Sequence, residues 1–101
     1  MRLTDKQRKV IHDAVVELFG HDATVQLFGS RADDRARGGD IDLLIKASMA
    51  DVDEIARAEV AFQARLERML GAQKVDVLID YPGRMERPLI LREAERTGVP
   101  L

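Results

Sequence analysis

Apolar positions along the chain change period several times, and each change marks an element. Thr4-Asp5-Lys6-Gln7 has the spacing of a capping box, with Thr4 as N-cap and Gln7 reaching back. Val10, Ile11, Ala14, Val15, Leu18 and Phe19 then recur at helical spacing, and Gly20 supplies the stop. Residues 23–28 are rich in branched and aromatic side chains and end at Gly29, which predicts a first strand. Residues 30–39 are polar and charged, and one short helical turn followed by a loose loop through Gly38-Gly39 is expected. Residues 40–46 read as a second strand. A long helix is predicted over residues 51–70, with Val52, Ile55, Phe62, Leu66 and Met69 on one face and Gly71 as its stop. Residues 74–80 form a third strand, and Tyr81-Pro82-Gly83 suits a type II turn. Pro88 fits the first position of a last helix through Arg96, with Gly98 past its end.

The predicted order is α-β-(short α)-β-α-β-α, an α/β (α+β) arrangement in which a small mixed sheet is flanked by helices. Connection lengths orient the strands. The link over residues 30–39 is too short for a parallel crossover, so the first two strands should run antiparallel. The long helix between the second and third favours a right-handed parallel crossover. The end of the first strand and the starts of the second and third then share one edge of the sheet. That edge collects Gly29-Ser30, Asp40 with Asp42, and Asp76.

Composition narrows the classes. A chain of 101 residues fits one domain spanning residues 1–101, with no internal repeat or linker. Sixteen Lys plus Arg against 18 Asp plus Glu give a net charge of −2, which argues against general nucleic-acid binding. A local basic patch remains in Arg31, Arg35 and Arg37. With no cysteine, disulfides, thiol chemistry and Cys-based zinc sites drop out. No apolar stretch reaches membrane-spanning length and the first residues lack a signal peptide's apolar segment, so a cytoplasmic protein is expected.

The chemistry lies at the shared edge. Asp40 and Asp42 interrupt a run of Ile and Leu, and strand alternation points both the same way. Like charges held that close resist burial unless a cation neutralises them. Hard oxygen ligands without Cys or clustered His suit Mg²⁺, which keeps positions for water and substrate phosphates. Leu44, on the same face, should be buried, which weakens the alternative that this face is simply solvated. Asp76, between Val75 and Val77, either completes a triad with Asp40 and Asp42 or faces solvent on a one-sided sheet. Asp80 shares its parity but lies beside a turn, where Asp is ordinary. Three carboxylates can hold two Mg²⁺, one organising a triphosphate and one lowering the pKa of an attacking hydroxyl. Gly29 lets the backbone approach a phosphate, Ser30 can cap a helix turn that attracts anions, and Arg31 can form a planar fork on a phosphate. His12 and His21 read as surface residues, and Tyr81 as a turn tyrosine packing its ring.

Together Leu27-Phe28-Gly29-Ser30-Arg31, Gly39-Asp40-Ile41-Asp42-Leu43 and Val75-Asp76-Val77 resemble the DNA polymerase beta-like nucleotidyltransferase superfamily, and within it the minimal nucleotidyltransferases (MNT). The resemblance spans about residues 25–80. It implies the nucleotidyltransferase fold, with Gly29 and Ser30 on the nucleotide, Arg31 beside them as a phosphate contact or a solvated loop residue, and Asp40, Asp42 and Asp76 as catalytic Mg²⁺ ligands. Gly39 stands where many relatives have Ser, and residues 32–38 lack the glycine that often follows the Gly-Ser-Arg-Ala start. Minimal members are often antitoxins of HEPN/MNT toxin–antitoxin pairs, and some transfer AMP from ATP to a tyrosine of the HEPN toxin. The resemblance therefore implies a protein adenylyltransferase using ATP and two Mg²⁺, in a hetero-oligomer with a HEPN-type toxin. No appended acceptor-binding domain is expected beside so short a domain, which favours a protein acceptor that brings its own surface. Two alternatives stay open: an antitoxin that acts by binding and occlusion only, and the nucleotide-binding subunit of a two-chain small-molecule nucleotidyltransferase. Partner contacts are expected at residues 30–39 and 81–101, including Leu89, Val99 and Leu101 as exposed apolar residues.

Overall fold

The computed structural model describes residues 3–29, 40–85 and 89–101. The first helix, α1 (Asp5–Phe19), opens on the expected capping box: Gln7 N–H donates to Thr4 Oγ1 at 3.0 Å, and Thr4 N–H donates to Gln7 Oε1 at 2.9 Å. Strands β1 (Thr24–Phe28) and β2 (Ile41–Lys46) follow. In α2 (Val52–Leu70), Asp51 caps the start by accepting from Asp53 and Glu54 N–H at 2.9 and 3.3 Å. Then come β3 (Val75–Asp80), α3 (Leu89–Thr97) and a two-residue β4 (Val99–Pro100). After β3, Arg84 N–H returns to the Tyr81 carbonyl at 3.2 Å with Gly83 at φ +84°, as a type II turn through Pro82 requires. The expected short helix within residues 30–39, and Pro88, lie outside the described residues.

The sheet order is β3-β2-β1-β4. β1 and β2 pair antiparallel and β2 and β3 parallel, as their connection lengths predict. β4 was not predicted. It pairs antiparallel with β1, Gln26 opposite Pro100 and Leu27 opposite Val99, and Leu101 N–H donates to the Val25 carbonyl at 2.9 Å. Two residues are too few for a period-2 signal. Val99 and Leu101 are consequently half-buried rather than exposed, and Leu101 packs against the core.

Strand alternation divides the side chains between two faces. On one, Val25, Leu27, Ile41, Leu43, Ile45 and Ile79 meet Ile11, Val15 and Phe19 of α1 and Ile55, Phe62 and Leu66 of α2. Phe19 and Phe62 sit edge to face at 5.9 Å between ring centres. Full burial of each such side chain stabilises the fold by about 1.5–3 kcal/mol. Val52 and Met69, expected on the buried stripe of α2, are exposed. The buried stripe runs instead through Ile55, Ala58, Phe62, Leu66 and the half-buried Leu70, spaced by three and four residues, which leaves Val52 before its start and Met69 beside it.

The opposite face carries α3. Leu91 and Ala94 close over Leu44, with Phe28 and Leu78 at the margin. Lower on β2, Lys46 pairs with Glu95 of α3. Gly98, between α3 and β4, has no room for a side chain: a Cβ there would lie 2.6 Å from the Ala94 carbonyl oxygen and 3.0 Å from the Gln26 Cβ.

Candidate active site

The register turns three separate motifs into one row. Phe28 lies opposite Asp42 across the antiparallel pair, and Asp42 is level with Asp76 across the parallel pair. Asp42, Leu44 and Lys46 share the α3 face of β2, as Asp76, Leu78 and Asp80 do on β3. α3 covers the middle of that face through Leu44 and leaves the Asp42–Asp76 end open. Asp40 stands just before β2 and is exposed. The side chains of Asp40 and Asp76 are 52% and 54% exposed, so among the described residues the site is an open sheet edge.

Gly29 ends β1 at φ +73°, a conformation that costs an L side chain about 1–2 kcal/mol. A Cβ there would lie 3.2 Å from Asp42 Cγ and closer still to its Oδ2. Gly29 is therefore the gap into which the Asp42 carboxylate fits. Ser30 and Arg31 lie outside the described residues.

Burial raises the Asp42 pKa above the ordinary carboxylate value, the negative charges of Asp76 and Asp40 push it further, and a hydrogen bond to Asp76 adds to the rise. Lys74 works against this. Its ammonium stands 3.7 Å from Asp40 Oδ2 and 4.0 Å from Asp76 Oδ2 and lowers the Asp42 pKa. Lys74 escaped the sequence reading although a signal existed: it lies two residues before Asp76 and shares its parity. Among the described residues, no three His, Asp or Glu side chains are drawn close enough to form a ready metal cage. The donor set nevertheless fits a hard divalent cation. All its ligands are carboxylate oxygens, their mutual repulsion is already expressed at Asp42, and they already attract a cation in Lys74.

Tyr81 is half-buried against the main core, with Arg84 over its ring at 5.9 Å from the centroid. It lies at the far end of β3 from Asp76. His12 is exposed, as its position off the apolar stripe predicts.

A four-stranded mixed sheet flanked by helices, with Asp42 and Asp76 level beside the Gly29 turn, is compatible with the nucleotidyltransferase fold that the sequence resemblance implies. The family comparison agrees: residues 8–99 match the model of the nucleotidyltransferase domain, and the chain belongs to that family. No curated protein matches the chain significantly. The reaction class that goes with the family is nucleotidyl transfer. No helix among the described residues is long and apolar enough to cross a membrane.

Proposed function

We propose that this chain is an Mg²⁺-dependent adenylyltransferase that moves AMP from ATP onto a partner protein, and that it serves as the antitoxin of a HEPN-type toxin by modifying a toxin tyrosine. The observation that carries the reading is the level pairing of Asp42 with Asp76, beside Asp40 and against the side-chain-free Gly29. In this scheme Asp40, Asp42 and Asp76 hold two Mg²⁺, while Gly29, Ser30 and Arg31 receive the triphosphate. The metal supplies charge neutralisation at the phosphates and a lowered pKa for the attacking hydroxyl. The acceptor oxygen forms a bond to the α-phosphorus as the bond to the β-phosphate oxygen breaks. Pyrophosphate leaves and the hydroxyl proton passes to solvent. The carboxylate row fixes where the α-phosphate lies, and this positioning is the main contribution such a site makes.

An open edge supports a macromolecular acceptor, because a protein tyrosine can reach it without threading into a cavity. Met85 and Leu89, 95% and 82% exposed, add apolar surface for such a partner in the segment expected to make contact. The decisive experiment incubates the toxin with ATP and Mg²⁺ and reads its intact mass. Wild-type protein should add about one AMP unit per event, and Asp42→Asn none, since the amide keeps the shape but loses a ligand. A toxin silenced by both proteins and modified by neither would overturn the enzymatic reading in favour of occlusion. Independently, ATP with Mg²⁺ should raise Tm well above ATP with a chelator, because ligand binding stabilises by mass action. Equal shifts would count against a carboxylate metal site.

A further inference from the structure

Lys74 has no task in that scheme, yet its placement is built. Gly71, at φ +84°, ends α2 with its N–H on the Glu67 carbonyl, and Gln73 N–H turns back to the Gly71 carbonyl, each at 2.9 Å. Ile41 N–H then donates to the Lys74 carbonyl at 3.1 Å, and the Gln63 side-chain amide to the neighbouring Val75 carbonyl at 2.8 Å. The backbone is thus pinned on both sides, and the 68% exposed side chain reaches the site from that base. Its ammonium stands between Asp40 and Asp76 at distances too long for strong direct hydrogen bonds, so the attraction is mainly electrostatic.

We propose that Lys74 is the resident counter-cation of the carboxylate row, displaced from Asp40 and Asp76 when a divalent ion binds and then turned onto the polyphosphate of the nucleotide. The inference rests on the reading of these acids as metal ligands. An ammonium and a divalent cation repel within one cluster, and the lysine is the partner free to move, on a flexible four-carbon stem. A triphosphate received at the same edge then offers the ammonium a new negative partner. Lys74 therefore opposes metal binding in the absence of nucleotide and favours nucleotide binding once the metal is in place. Such opposed effects couple the two ligands, so that the site fills with both rather than with metal alone.

The test uses the full chain with Mn²⁺ as probe, its free concentration followed by electron paramagnetic resonance. Lys74→Met should bind Mn²⁺ roughly three- to fivefold tighter than wild type, the scale of two exposed ion pairs, and Lys74→Arg should resemble wild type. At saturating Mn²⁺, the same Lys74→Met protein should bind a fluorescent non-hydrolysable ATP analogue a few-fold more weakly. Opposite signs are the signature, since a lysine that merely supports the loop would weaken both when removed. Unchanged or weaker Mn²⁺ binding in Lys74→Met overturns the proposal. Tighter Mn²⁺ binding with undiminished analogue binding overturns the turn onto the polyphosphate. Should wild type and both variants melt cooperatively yet bind no Mn²⁺, the metal-ligand reading itself falls, an outcome distinct from either.

Discussion

The two faces of the sheet are built from the same strands and do opposite work. Toward α1 and α2 every inward position is apolar, and the cluster runs unbroken from Ile11 to Ile79. Toward α3 the apolar part shrinks to Leu44, Leu91 and Ala94, with charged residues on both sides of it: Asp42 and Asp76 at one end, Lys46 with Glu95 at the other. The contrast shows how a small domain can afford a costly site. Repelling carboxylates cost stability, and a continuous core on the far side of the same strands offsets them. The α3 patch closes the middle of the face while leaving the acid row accessible.

The comparison breaks most visibly at Phe62. Phe62→Ala, at a fully buried position of the large core, should cost about 3–5 kcal/mol. For a domain of this size that lowers Tm by about 4–8 °C per kcal/mol, readable by circular dichroism. Leu91→Ala tests the small core and should cost less, about 2–3 kcal/mol, because the half-buried Phe28 and Leu78 beside it can partly collapse into the space. A Leu91→Ala loss equal to that of Phe62→Ala would mean that the two faces are energetically alike.

Gly29→Ala sharpens the contrast at the site itself. It should cost about 1–2 kcal/mol through the positive φ. It should also lower nucleotidyl transfer far more than that loss of stability explains, because the methyl group displaces the Asp42 carboxylate. Activity that falls only in step with the folded fraction would show that the gap does not position Asp42.

The smallest effect is a pH dependence. The Asp42 pKa is raised in the folded protein, so the native state keeps this proton at a pH where the unfolded chain has released it. Stability of the protein in chelator is therefore lost as pH rises from the ordinary Asp value through the raised one. Asp42→Asn should remove that decline and be slightly the more stable protein at neutral pH. Melting curves of both proteins in chelator from pH 4 to 7 check the sign, and parallel curves would count against a strained Asp42.

Several parts of this protein could be read from residue order because they depend on neighbours close in the chain. The capping box at Thr4 and Gln7, the glycine stops at Gly20 and Gly71 and the turn at Pro82-Gly83 are local hydrogen bonds and dihedral preferences. The shared face of Asp42 and Leu44 follows from strand alternation, although Asp40 falls just before the strand, and the strand directions follow from connection lengths. Only the tertiary structure decided the rest. β4 exists because β1 has an edge for Gln26 and Leu27 to offer, not because two residues declare a strand. Val52 and Met69 are exposed because the core meets the face of α2 that carries Ala58 and Leu70, a choice between adjacent helical stripes that periodicity leaves open. The level meeting of Asp42 with Asp76, the fit of Asp42 into the space at Gly29, and the reach of Lys74 to both outer acids are set by register and by pairs distant in sequence. Spacing along the chain supplied the acids and their facing, while their distances to one another and to a cation came from how the strands lie side by side.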